Sequence, residues 1–176
     1  MGLVEYRKSS VGAEQTRYFL NTAQDAVVNM GTGAITSGTF NMMFLMAENN
    51  NVEAGASLET VADVTQKVQP SEPKYEGVTI SYSGLFLKED PVCQALEALY
   101  RNKPVGDDAH FYMVEEDKWS GTNGKYYITD VAIVVTGITN EAGDKRKIEA
   151  TIGLAADWKE VSTTLTVDEN DGTLTV

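Results

Sequence analysis

The stretch Gly77–Pro104, GVTISYSGLFLKEDPVCQALEALYRNKP, changes its hydrophobic period halfway along, and that change decides the fold class. In its first half Val78, Ile80, Tyr82, Gly84 and Phe86 alternate with Thr79, Ser81, Ser83 and Leu85, the period of two that marks a half-buried strand. In its second half the period becomes helical. Asp90 is placed to cap the first turn and Pro91 fits the first helical position, where no N–H is needed. Val92, Ala95, Leu96 and Leu99 make one apolar stripe, Arg101 and Lys103 sit at the negative end of the dipole, and Pro104 stops the helix after about three turns. Cys93, on the shoulder of the stripe, reads as a small buried hydrophobe. A single marked helix should therefore cover one face of a sheet.

On the C-terminal side, HFYMVEE (from His110), KYYITDVAIVVTG (from Lys125) and RKIEATIGLAA (from Arg146) read as three strands of an antiparallel meander. Asn123-Gly124 and Gly143-Asp144 supply the turns. In the last of the three, Ile148, Ala150, Ile152 and Leu154 share the inner face. TLTVDENDGTLTV, ending at Val176, repeats TLTV about a turn-rich pentapeptide and predicts a hairpin near 162–176 whose edge could pair with a neighbour.

On the N-terminal side, QTRYFLNTA suits a strand, while NMGTGAITSGT (Asn29–Thr39) reads as turn or mobile loop from its Gly and Thr content. FNMMFLMAE then sets Phe40, Met42, Phe44 and Met46 on one face and Met43 and Leu45 on the other, so neither face suits water. Such a strand is either central to the core or covered on its second face by another subunit. The six residues from Phe40 to Met46, Asn41 excepted, are the candidate subunit contacts, methionine being adaptable there. SLETVADVTQKVQPSEPKYEG mixes helical spacing with strand-favouring Val and Thr, and reads as a partly extended arm, near 47–77, ended by Pro70 and Pro73. With a mobile N-terminal segment, the whole is expected to be one domain over 1–176.

A formal net charge of -12 and a pI near 4.4 exclude a surface that grips nucleic acid, which needs clustered Lys and Arg. One cysteine excludes an internal disulfide and a Cys-rich metal site. MGLVEYRKSS lacks a signal peptide's apolar core, and no apolar run approaches the roughly 20 residues that span a bilayer. DENDG fails as a calcium loop, because Gly172 stands where the fifth-position ligand belongs. Adjacent carboxylates at Asp107–Asp108 and Glu115–Asp117 read as solvated faces. His110 has no ligand at metal spacing, GTGAITSG lacks the lysine of a phosphate loop, and no nucleophile-elbow motif occurs. No enzyme, cofactor or metal is expected. Trp119, Trp158, Tyr126 and Tyr127 leave a carbohydrate-binding β-sandwich as the alternative class.

The order of strand, Asp-Pro helix, turn and meander resembles the major tail protein of long-tailed bacteriophages. The features that carry this are Ser81–Gly84 leading into the helix at Asp90 and Pro91, the stretch Tyr127–Val131, and the final core strand Ile148–Leu154; together they cover about residues 60–158. The resemblance implies an antiparallel β-sandwich or half-barrel with one flanking helix, closing into hexameric rings that stack into a hollow tube. It implies a virion tail location, after synthesis in the host cytoplasm, and a conduit for DNA that passes without specific binding. A tape-measure protein and other tail proteins would be partners, with no membrane insertion; a terminator or baseplate protein of the same fold is the nearer rival. In such a tube, Glu48, Glu53, Glu59 and Asp63 are the candidate lumen charges, since carboxylates repel the phosphate backbone.

Overall fold

The computed structural model describes residues 16–43, 52–53, 56–60, 71–75, 77–117, 124–139 and 146–176. Its helix, α1 (Pro91–Asn102), has the ends that the sequence writes. The Asp90 carboxylate accepts a hydrogen bond from the Cys93 N–H at 3.3 Å, from a position with no solvent exposure. Beyond the last turn Lys103 adopts a left-handed conformation, φ 47°, and its N–H closes on the Leu99 carbonyl at 2.9 Å. Val92, Cys93, Leu96 and Leu99 are buried beneath it.

The strands are β1 (Arg17–Leu20), β2 (Val27–Asn29), β3 (Ala34–Ser37), β4 (Thr39–Met42), β5 (Val52–Glu53), β6 (Ala56–Thr60) and β7 (Ser71–Tyr75) before the stretch quoted above. They continue as β8 (Thr79–Leu85), β9 (His110–Asp117), β10 (Lys125–Thr139), β11 (Lys147–Leu154), β12 (Lys159–Glu160), β13 (Thr166–Asp168) and β14 (Thr173–Thr175). Ten of them form one open antiparallel sheet in the order β13-β14-β4-β1-β9-β10-β11-β8-β5, with β12 alongside β10. β10 is the hub, pairing with β9 through Lys125–Ala132 and with β11 through Val131–Thr139. A bulge between Val135 and Gly137 keeps Ile138 on the core side despite the added residue.

Alternation along the strands sends neighbouring residues into two separate cores. Leu20, Met113, Val131 and Ile133 lie under α1 with Ile80, Tyr82, Ile148 and Ile152. Phe19, Val114 and Ile128 point the other way, into a second core with Phe40, Met42, Ile35 and Leu174. Helix and β2–β3 hairpin thus cover opposite faces at opposite ends of the sheet.

Three segments differ from the sequence-based expectation. Asn29–Thr39, expected as loop, contributes to the β2–β3 hairpin, because Val28 and Ile35 have a core to bury against that local composition does not reveal. Its turn needs Gly33: φ is +70°, and a Cβ there would lie 2.0 Å from the Glu160 carbonyl oxygen. Pro73 does not end the arm but lies inside β7, opposite Leu58 of β6. A two-stranded ribbon has open edges, where a missing N–H costs no ladder bond. The turns expected at Asn123-Gly124 and Gly143-Asp144 fall largely on residues outside those described.

Candidate assembly surfaces

The β2–β3 hairpin covers the far end of the face opposite α1, while β8, β11 and the stretch of β10 paired with β11 carry no covering layer on that face among the described residues. The side chains there run in rungs set by the strand register: Ser81 of β8, Thr151 of β11 and Val134 of β10, then Thr79, Gly153 and Ala132. Ser83 and Glu149 form the next rung. Ser81, Thr151, Val134 and Glu149 are exposed, while Ile80, Tyr82, Ile152 and Ile133 between them are buried. These rungs are therefore rich in hydroxyls and include the Glu149 carboxylate. The cation closest in register is Lys147, two residues along β11 from Glu149.

The second surface is an edge. β9 starts at His110, opposite Ala132, so from Ile133 to Thr139 no described strand pairs with β10 on that side. The loop after α1 passes it and leaves a groove of about 440 Å³, lined by Tyr100, Pro104, Val105, Val134, Thr136 and neighbouring residues. Val105 is 85% exposed, Val134 63% and Tyr100 43%. These are three of the five large hydrophobic side chains that are exposed among the described residues, gathered at one place.

Two polar constellations complete the picture. His110 Nδ1 lies 3.2 Å from Asp130 Oδ1 at a cleft of about 390 Å³ that Asp107, Asp108, Asn21 and Gln24 also line. A carboxylate-oriented imidazole could serve as a base, but among the described residues of the lining there is no Ser, Thr or Cys for it to activate. Among the described residues no three His, Cys, Asp or Glu side chains group as metal ligands. The other constellation is buried: Arg17 pairs through Nε with Glu116, both nearly inaccessible, and through its Nη1 atom at 3.0 Å with Glu169 in the β13–β14 turn. The Tyr126 hydroxyl donates to Glu116 at 3.3 Å. Burial works to lower the Arg17 pKa, yet the hydrogen bonds to Glu116 and Glu169 hold it above its ordinary value. Burial first, and Glu116 second, push the Tyr126 phenol up to about 12.

The residues singled out in the sequence divide accordingly. Phe40 and Met42 are buried in the second core and Met43 in the core under α1, so the chain itself covers all three. Phe44, Leu45, Met46, Glu48 and Asp63 lie outside the described residues. Glu53 ends β5 opposite Thr79, and Glu59 lies in β6 opposite Glu72. Of the aromatic residues weighed for sugar binding, Trp158 packs against the first core and Tyr126 against the second, and Trp119 lies outside the described residues. Sequence reasoning missed the Arg17 network, whose members are 99 and 152 residues apart, and the free edge of β10. The edge did leave a signal, since an eight-residue strand cannot span a fifteen-residue partner.

Geometry thus defines a mainly β protein: among the described residues, an open antiparallel sheet with one flanking α-helix, an uncovered stretch of one face and an unpaired edge on β10. Among solved structures it is similar to the tail tube of SPP1, determined by solid-state NMR and cryo-EM. The TM-score is 0.51 at 11% identity, over 87% of this chain and 80% of that one. The fold is that of a phage tail tube protein. No family model matches the sequence, and no curated protein does. No helix among the described residues is long and apolar enough to cross a membrane.

Proposed function

We propose that this chain is the structural subunit of a bacteriophage tail tube, which self-assembles into stacked hexameric rings and conducts DNA toward the host cell. The observation that carries the reading is the half-covered sheet, whose face opposite α1 presents Ser81, Thr151, Ser83 and Glu149 where a globular protein would place a second layer. Closed side by side in a ring, six such faces make a lumen. Hydroxyls and carboxylates offer the phosphate backbone no cations to take the place of its own counterions, so DNA slides without being held. Glu48, Glu53, Glu59 and Asp63 add to that charge in this proposal, and Phe44, Leu45 and Met46 serve contacts between subunits. A tape-measure protein would fill the lumen before DNA does. Negative-stain electron microscopy of the purified protein at rising concentration tests this. Rings or hollow tubes support it; particles that stay monomeric at every concentration, also when seeded with tail initiator complexes, would sink it.

A further inference from the structure

We infer that the groove beside β10 receives the outer edge of β13 from a second copy of this chain, adding a strand to the sheet; the inference rests on the tube reading and assigns it a contact. The groove offers a seven-residue backbone edge, Ile133–Thr139, beside three exposed hydrophobic side chains. An edge of that length left open invites pairing with another chain. The donor needs an open edge of its own. Among the described residues β13 ends the sheet and pairs with β14 alone, and along the chain from Thr164 to Asp168 the exposed residues Thr164, Thr166 and Asp168 alternate with Leu165 and Val167, which pack on the second core.

Charge favours this donor. Exposed Lys103 stands at the end of α1 on the groove itself, beside Arg101, which is paired with Glu97, while Asp168 and Asp171 make the hairpin tip acidic around Glu169, which is paired with Arg17. Within one chain the two edges cannot meet, because five strand steps of about 4.8 Å separate β13 from β10 across the sheet. The contact is therefore heterologous, edge to groove, the type that generates rings or helical stacks when repeated.

The test mixes a Val134→Cys variant with a Thr166→Cys or Thr164→Cys variant and adds a short bismaleimide; native Cys93 is fully buried and stays out of the reaction. A covalent dimer should form in the mixtures and not in either variant alone. Val134→Lys, shown folded by circular dichroism, should raise the concentration needed for association at least tenfold. Rings without cross-links, or unaltered association of the Val134→Lys variant, would overturn the edge-to-groove contact and leave the tube reading standing. Cross-links in a protein that never forms rings would uphold the contact and remove the tube reading. Absence of both would remove both.

Discussion

Replacing Arg17 by Met tests whether the buried ion network holds the N-terminal strand, the meander and the C-terminal hairpin together. Arg17 is 7% exposed, and the Glu116 carboxylate it neutralises is almost as inaccessible, whereas Glu169 is 59% exposed. Those exposures predict unequal consequences. Removing the guanidinium strands the Glu116 carboxylate in a dry site where, among the described residues, the Tyr126 hydroxyl is its remaining side-chain donor. Breaking one side of a buried pair costs about 3–5 kcal/mol, and at this chain length each kcal/mol moves Tm by roughly 2–4 °C, so a fall of about 6–20 °C is expected. Glu169→Gln removes only an exposed pair and should cost less than about 1 kcal/mol.

The decisive comparison is the double variant Arg17→Met, Glu116→Leu. If the cost of the single change is a stranded carboxylate, deleting that carboxylate as well should recover at least about 2 kcal/mol, because apolar replacements of buried pairs are often neutral. Urea unfolding followed by circular dichroism gives all four stabilities with one m value to check that the unfolded states match. A double variant no more stable than Arg17→Met, or an Arg17→Met no worse than Glu169→Gln, would refute the reasoning and reduce the network to ordinary surface pairing.

Three further outcomes are expected. Asp90→Ala removes the helix cap and should cost about 1–2 kcal/mol in urea unfolding, with Asp90→Asn milder because its amide oxygen can still accept from the Cys93 N–H. Burial holds the Glu115 carboxyl above its usual 4.5, a hydrogen bond from Tyr18 opposing the shift and the charge of Asp117 adding to it. The unfolded chain then releases its proton first, so stability falls as pH rises above 4.5 until the folded carboxyl ionises too; Glu115→Gln should lack that fall and gain on wild type across the window, measured as midpoints against pH. A Ser81→Lys, Thr151→Lys variant places two cations on the uncovered face; its assemblies should retain DNA at low salt and release it as salt rises, where wild type retains none, as a gel-shift titration would show.

What the sequence disclosed was whatever depends on near neighbours. α1 could be read to its ends because Asp90, Pro91 and Pro104 act within one turn of their own positions. The strands β8, β9, β10 and β11 could be read because each alternates over at least seven residues. The β2–β3 hairpin could not, since three- and four-residue strands hold too little periodicity, and what makes them strands is the second core contributed by Phe19, Val114 and Leu174. The doubly apolar stretch Phe40–Met46 left a core strand and a subunit contact both open; of its described residues Phe40 and Met42 feed the second core and Met43 the first, and the sheet order places β4 between β14 and β1.

That sheet order also explains how a fold can be shared at 11% identity. Each strand needs only an alternation that feeds the correct core, and many residue sets satisfy it. The part of the face opposite α1 that carries Ser81 and Thr151 is freer still, because no described element packs over these two side chains to fix their size. If that face lines a lumen, its constraints come from the passing polyanion and from neighbouring copies: no cluster of cations, and side chains short enough to leave the channel open. Glu149 satisfies the first and the hydroxyl rungs the second. Hydrophobic exposure is instead concentrated at the β10 groove, where Val105, Val134 and Tyr100 would be covered only by another chain. A surface divided in this way, slippery on one face and adhesive at one edge, is what a conduit built from copies of a single chain requires.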